Sequence, residues 1–240
     1  MIASVQNPHI VRSYDDDLHR LRSLITQRGA LCDAQLTGAA DAIADADAAG
    51  AQAVIHLDTR VDTLHAEAEA AAINIFMRYA PLADDLREVV ATLKIAGWLE
   101  RAADQAKNVA RRALRLATLD AAPAAVLVAE LAMRAKHVLR DALSVYVDRD
   151  AIEAATVIAD DRAIDGLYDK VFADLLAYAT ANPLALEAVT HLQFIAKNFE
   201  RIGDEATNIA EQVRFAVTGE TAEQRDTSSP ALPLPVLSAG

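Results

Sequence analysis

Apolar residues recur along this chain at intervals of three and four. Between Ile10 and Asp47 they fall at Leu18, Leu21, Ile25 and Leu36 among charged neighbours, then at Val61, Leu64 and Ala68, and again at Leu86, Val89, Val90, Leu93 and Leu99. This spacing keeps one face of a helix apolar and does not match the alternation of a half-buried strand. Helix breakers are few enough to serve as punctuation: Gly50, Pro81, Pro123, Asp150, Asn182-Pro183 and Gly219. The pattern predicts six long helices, over 10–48, 51–79, 82–118, 122–148, 151–181 and 184–217. Each spans about 40 Å or more at 1.5 Å per residue. Asn182 before Pro183 and Asp120 before Pro123 stand where caps belong, and Asp150 with Glu153 reads as a capping box. Long helices on short connections pack antiparallel in bundles, so the expected class is all-α.

The chain repeats itself. Leu99-Glu-Arg-Ala-Ala-Asp-Gln-Ala-Lys-Asn-Val-Ala110 matches Phe199-Glu-Arg-Ile-Gly-Asp-Glu-Ala-Thr-Asn-Ile-Ala210 at an offset of 100. Upstream, Asp45, Asp47, Val54, Ile55, Asp58 and Asp62 match Asp148, Asp150, Val157, Ile158, Asp161 and Asp165 at an offset of 103. The three-residue slip falls near Pro81 and Pro183, where loops absorb length changes. A three-helix unit is therefore used twice, over 10–118 and 122–218. The segment 220–240, ending SSPALPLPVLSAG, is expected to lack regular structure because Pro230, Pro233 and Pro235 interrupt it.

Each half carries two acidic pairs four residues apart: Asp58/Asp62 with Glu100/Asp104, and Asp161/Asp165 with Glu200/Asp204. Residues at equal distances from the turn of an antiparallel hairpin lie at the same height. Asp58 and Asp104 are both 23 residues from Pro81, and Asp62 and Glu100 are both 19 from it. In the second half Asp161 pairs with Asp204, and Asp165 with Glu200, about the Asn182-Pro183 junction. Each hairpin is thus expected to gather four carboxylates at one level, about 30 Å from its turn. Like charges that close raise one another's pKa unless cations neutralise them, and carboxylate oxygens suit Mg²⁺, Mn²⁺, Ca²⁺ or iron. The expectation is a metal site on each hairpin. The competing reading is a solvated acidic face balanced by Arg101, Arg201 and other cations. Asn108 and Asn208, one turn beyond the aspartates, are candidate accessory ligands. His65 is a further candidate in the first cluster, but its counterpart is Tyr168, which argues against a role shared by both halves.

Composition narrows the function classes. With 23 Lys and Arg against 35 Asp and Glu, the net charge is −12. Nucleic acid, whose recognition needs a basic surface, is not an expected partner. The single cysteine, Cys32, forms no internal disulfide or cysteine metal site and is expected in the core. No secretory signal opens the chain and no uncharged run is long enough to cross a bilayer, so a cytoplasmic protein without membrane insertion is expected. The paired Glu-x-x-His motifs of di-iron bundles are absent, as are GxxxxGK[ST], GxSxG and HExxH. Binding or regulation is favoured over catalysis, and no catalytic residue is assigned.

On these motifs the chain resembles the PhoU family of phosphate-transport regulators, from about Tyr14 to Gly219. The run Phe199-Glu-Arg-Ile-Gly-Asp-Glu-Ala-Thr-Asn-Ile-Ala-Glu211 and the turn Pro81-Leu-Ala-Asp-Asp-Leu-Arg87 carry the resemblance. It implies a tandem pair of three-helix bundles and metal clusters on Asp58, Asp62, Glu100, Asp104, Asp161, Asp165, Glu200 and Asp204. The metals implied are iron or other ions such as Mn, Mg or Zn. It also implies a homodimer that partners a phosphate ABC transporter ATPase and the sensor histidine kinase of phosphate-starvation genes. Two departures stand out: Ala102-Ala103 replaces Ile-Gly in the first half, and Gln105 and Glu205 replace a customary His. Two readings remain beside this one: a metal-storing or metal-sensing bundle without a phosphate role, and a metal-dependent hydrolase.

Overall fold

A computed structural model describes residues 8–119 and 121–221. Helices α1 (Pro8–Ala44), α2 (Ala48–Tyr79) and α3 (Asp84–Leu116) form the first bundle. The second contains α4 (Ala122–Ala125), a 3-10 turn at Val126–Val128, α5 (Ala129–Asp148), α6 (Ala151–Ala159), α7 (Asp161–Ala181) and α8 (Leu186–Thr218). No strand occurs among the described residues. No helix among them is long and apolar enough to cross a membrane. Residues 222–240, which hold most of the expected irregular tail, and the expected cap Asp120 lie outside the described residues.

The apolar stripes converge as their spacing requires. Leu21, Ile25, Leu36, Leu99, Leu131, Leu139, Phe199 and Ile202 lose all exposure, and Cys32 is buried among them with its thiol pushed up to about 12 by desolvation. Leu86, expected on the apolar face of α3, remains 40% exposed because it sits in the helix's first turn at the hairpin tip.

Several expected boundaries shift. The first helix ends at Ala44 rather than residue 48, since Ala46 takes a left-handed φ of 52° and Asp47 starts the next helix by accepting from the Ala49 N–H at 3.0 Å. Gly50 lies inside α2 and is no breaker. The second half repeats this corner: Arg149 has φ 56°, and Asp150 accepts from the N–H groups of Ile152 and Glu153 at 2.9 and 3.0 Å. In both, the N–H of the capping aspartate bonds back five residues, Asp47 to Ala42 and Asp150 to Val145, which closes the preceding helix. The expected helix 122–148 tightens to 3-10 geometry at Val126–Val128, where two β-branched residues disfavour α geometry. The expected helix 151–181 is interrupted at Asp160, whose N–H is shared between the Thr156 and Val157 carbonyls and whose carboxylate binds Arg134 at 2.8 Å. Asn182 does not cap the 3-10 turn Pro183–Ala185 that leads into α8: its side-chain amide donates back to the Tyr178 carbonyl at 3.0 Å.

The halves join along two antiparallel helix pairs. Between α3 and α8, Lys94 lies over the Phe215 ring and Arg112 over the Phe194 ring, while Arg115 pairs with Glu187. Between α1 and α5, Arg140 binds Asp33 with two nitrogens, at 2.7 and 3.1 Å, and Gly29 packs against the Leu143 side chain. Glu88 of α3 ties the halves further: it bonds Arg22 of α1 and, at 2.6 Å, Arg149 at the α5–α6 corner.

Candidate metal centre

Helices α7 and α8 approach closely where their acidic pairs face each other. A Cβ on Gly203 would stand 2.5 Å from Ile164 Cδ1 and 3.1 Å from its Cγ2, so a larger residue there requires Ile164 to shift. One turn along α8 from Glu200, Asp204 meets Asp165 across the hairpin. Asp165, Glu200 and Asp204 each offer a carboxylate oxygen, all within 4.8 Å of one another. They are the one such group of three among the described residues. Asp161, the fourth expected member, accepts a 2.9 Å hydrogen bond from Thr207 Oγ1 and contributes its charge to Asp204.

Lys197 of α8 donates to Glu200 Oε1 at 2.6 Å, leaving the buried Glu200 Oε2 with no hydrogen-bond partner. Asp204 is pushed up to about 7, first by desolvation and then by the charges of Glu200, Asp161 and Asp165, with Lys197 opposing. A hard or borderline cation fits this site: it would engage the orphaned oxygen and favour the ionised form of Asp204.

The first half differs. The Asp58 side chain lies outside the described residues, and Asp62 is exposed. Glu100 is reached by Arg28 Nη2 at 3.9 Å and His65 Nε2 at 3.4 Å, and Asp104 is paired with Lys107 at 2.8 Å. The Arg28 guanidinium donates through Nη1 to the Ala96 carbonyl at 2.7 Å and to His65 Nδ1 at 2.5 Å. Because a guanidinium only donates, His65 Nδ1 is the acceptor and Nε2 carries the hydrogen, with Glu69 and Glu100 each 3.4 Å away. Burial pulls the Arg28 pKa below its ordinary value, while Glu100 pulls it back up.

The two candidate accessory amides turn elsewhere. Asn108 Oδ1 accepts from Arg111 at 3.4 Å, and Asn208 bonds Glu205. Arg101 stacks over Trp98 at 4.7 Å. Glu205 is raised by burial, opposed by Arg101, Asn208 and Arg201.

Sequence reasoning missed Arg28, Lys107, Lys197 and Thr207. For Arg28 a signal existed: it occupies a position in the apolar stripe of α1, between Ile25 and Cys32, where a charged residue calls for a buried partner. Lys107 and Lys197 were legible as cations three residues from Asp104 and Glu200.

Comparison with known proteins places the chain. The family model described as PhoU domain matches twice, at residues 25–113 and 128–213. The phosphate-specific transport system accessory protein PhoU homolog of Zymomonas mobilis subsp. mobilis is 40% identical over 217 residues, 90% of this chain and 92% of that protein. Its counterpart in Caulobacter vibrioides is 41% identical over 215 residues, covering 88% and 93%. The crystal structure of PhoU from Pseudomonas aeruginosa superposes with a TM-score of 0.84 at 31% identity, covering 86% of this chain and 100% of that one. The fold, the duplicated acidic hairpins and these likenesses converge: the chain belongs to the PhoU family.

Proposed function

We propose that this protein is a non-enzymatic regulator of phosphate uptake and phosphate-starvation signalling. It acts in the cytoplasm as a homodimeric adaptor between a phosphate ABC transporter ATPase and a sensor histidine kinase. The observation that carries the reading is the match of both halves to the PhoU domain, together with relatives named as accessory proteins of a phosphate-specific transport system. Asp165, Glu200 and Asp204 would hold a metal ion, with Asp161 beside them. Bound there, the cation supplies the charge that ties α7 to α8 and stiffens the second hairpin. Protein partners would find apolar surface at the hairpin tips, where Met77, Leu82 and Leu184 are exposed.

Deleting the gene and measuring transcription of phosphate-uptake genes in high phosphate tests this reading. Constitutive starvation expression, restored to repression by the wild-type gene, is the expected result. Unchanged phosphate genes with altered metal tolerance would overturn it in favour of metal storage or sensing. A pull-down from cells in high phosphate should recover the transporter ATPase and the kinase.

A further inference from the structure

The two halves fold alike but neutralise their carboxylates differently. At the offset of 103 that relates α1 to α5, Ile25, Cys32, Leu36 and Ala39 correspond to Val128, Ala135, Leu139 and Ala142, and all eight are buried. Arg28 corresponds to Leu131, and both have no exposure. A cation therefore stands in the core of the first bundle where the second has a hydrocarbon. It reaches towards the acidic cluster: from α1 its Nη1 bonds His65 of α2 and the Ala96 carbonyl of α3, while Nη2, 3.9 Å from Glu100, and Nε make no hydrogen bond.

We propose that Arg28 is the resident cation of the N-terminal cluster, taking the place of a metal, so that only the C-terminal half is a metal centre. The proposal rests on the metal reading of Asp165, Glu200 and Asp204 given above. One guanidinium links all three helices of its bundle, as a metal would link α7 and α8. A divalent ion brought to Glu100 would meet a fixed positive charge that burial prevents from swinging away and whose chemistry prevents it from losing its proton. Lys107 adds a second cation at Asp104, where the equivalent residue is the uncharged Thr207. The C-terminal cluster has Lys197 on Glu200, but Glu200 is buried with one oxygen orphaned, whereas the Glu100 side chain is 45% exposed and engaged by Arg28 and His65.

Mn²⁺ loading of the full chain by equilibrium dialysis and metal analysis, with circular dichroism to verify folding, decides the matter. Wild-type loading should be unchanged in E100Q/D104N and lost in E200Q/D204N. Arg28→Leu, which copies Leu131, and Arg28→Met, which keeps much of the stem, should roughly double the loading by freeing the second site. That gain should vanish when E100Q/D104N is added. Wild-type loading that falls in E100Q/D104N overturns the proposal, and so does a folded R28L or R28M that gains no Mn²⁺. Wild type that takes up no Mn²⁺ would instead defeat the C-terminal metal reading, and the gain in R28M would still decide the role of Arg28.

Discussion

Replacing Asp204 by Asn should stabilise the metal-free protein at alkaline pH. The Asp204 carboxyl is raised from 3.8 to about 7 by desolvation and by Glu200, Asp161 and Asp165. A pKa raised on folding means that the folded state holds the proton more tightly than the unfolded one. The associated stability is present below about pH 4 and lost as pH rises through about 7. At about 1.4 kcal/mol per unit the full shift is worth about 4 kcal/mol. Asp204 is only part-buried, so solvent screening reduces this to about 1–2 kcal/mol. Asn has nearly the same shape and no charge, so D204N in EDTA should melt about 3–6 °C above wild type at pH 8. The gap should close towards pH 4. Thermal melts followed by circular dichroism from pH 4 to 8.5 measure it. Added Mn²⁺ should reverse the order, because the cation stabilises the ionised wild-type site and finds one ligand fewer in the variant. A D204N protein less stable than wild type at pH 8 in EDTA, or a difference independent of pH, would mean that the ionised Asp204 does not destabilise the metal-free fold.

Two further predictions concern the frame around the site. Glu88 has an 11% exposed side chain held between Arg22 and Arg149, but the two arginines are 30% and 43% exposed and regain water when it is removed, so Glu88→Ala should cost about 1–3 kcal/mol in urea unfolding. A cost under 1 kcal/mol would mean that this triad does not help to hold the halves together. Gly203→Ala forces a methyl against Ile164 and should cost about 1–3 kcal/mol. The first half has Val61 and Ala103 at the equivalent positions, so adding Ile164→Val should recover most of that loss, and a double mutant no better than the single would contradict the packing explanation.

The helices, the duplication and the meeting of Asp165 with Glu200 and Asp204 in the second hairpin were legible because each is a matter of spacing along one chain. A period of 3.6 residues marks the buried face, and equal distances from Pro81 or Asn182-Pro183 set equal heights in a hairpin. Corner details were harder to read, because Ala46 and Arg149 adopt left-handed φ without the glycine that signals it, and Asp47, rather than Gly50, begins α2. The inequality of the two clusters was not legible from the acidic residues themselves. It depends on α1, some 70 residues before Glu100, delivering Arg28 through the core, a tertiary contact that no local pattern encodes. Offset alignment alone places Arg28 opposite Leu131, but only the folded bundle shows what that charge touches.

As proposed above, two copies of one three-helix unit neutralise their carboxylates differently, by a metal in the second and by Arg28 in the first. Anomalous diffraction at the manganese edge from crystals grown with Mn²⁺ tests it most directly. An anomalous peak is expected among Asp165, Glu200 and Asp204, and none beside Glu100 and Asp104. Peaks of similar height at both clusters, or one at the N-terminal cluster alone, would contradict it.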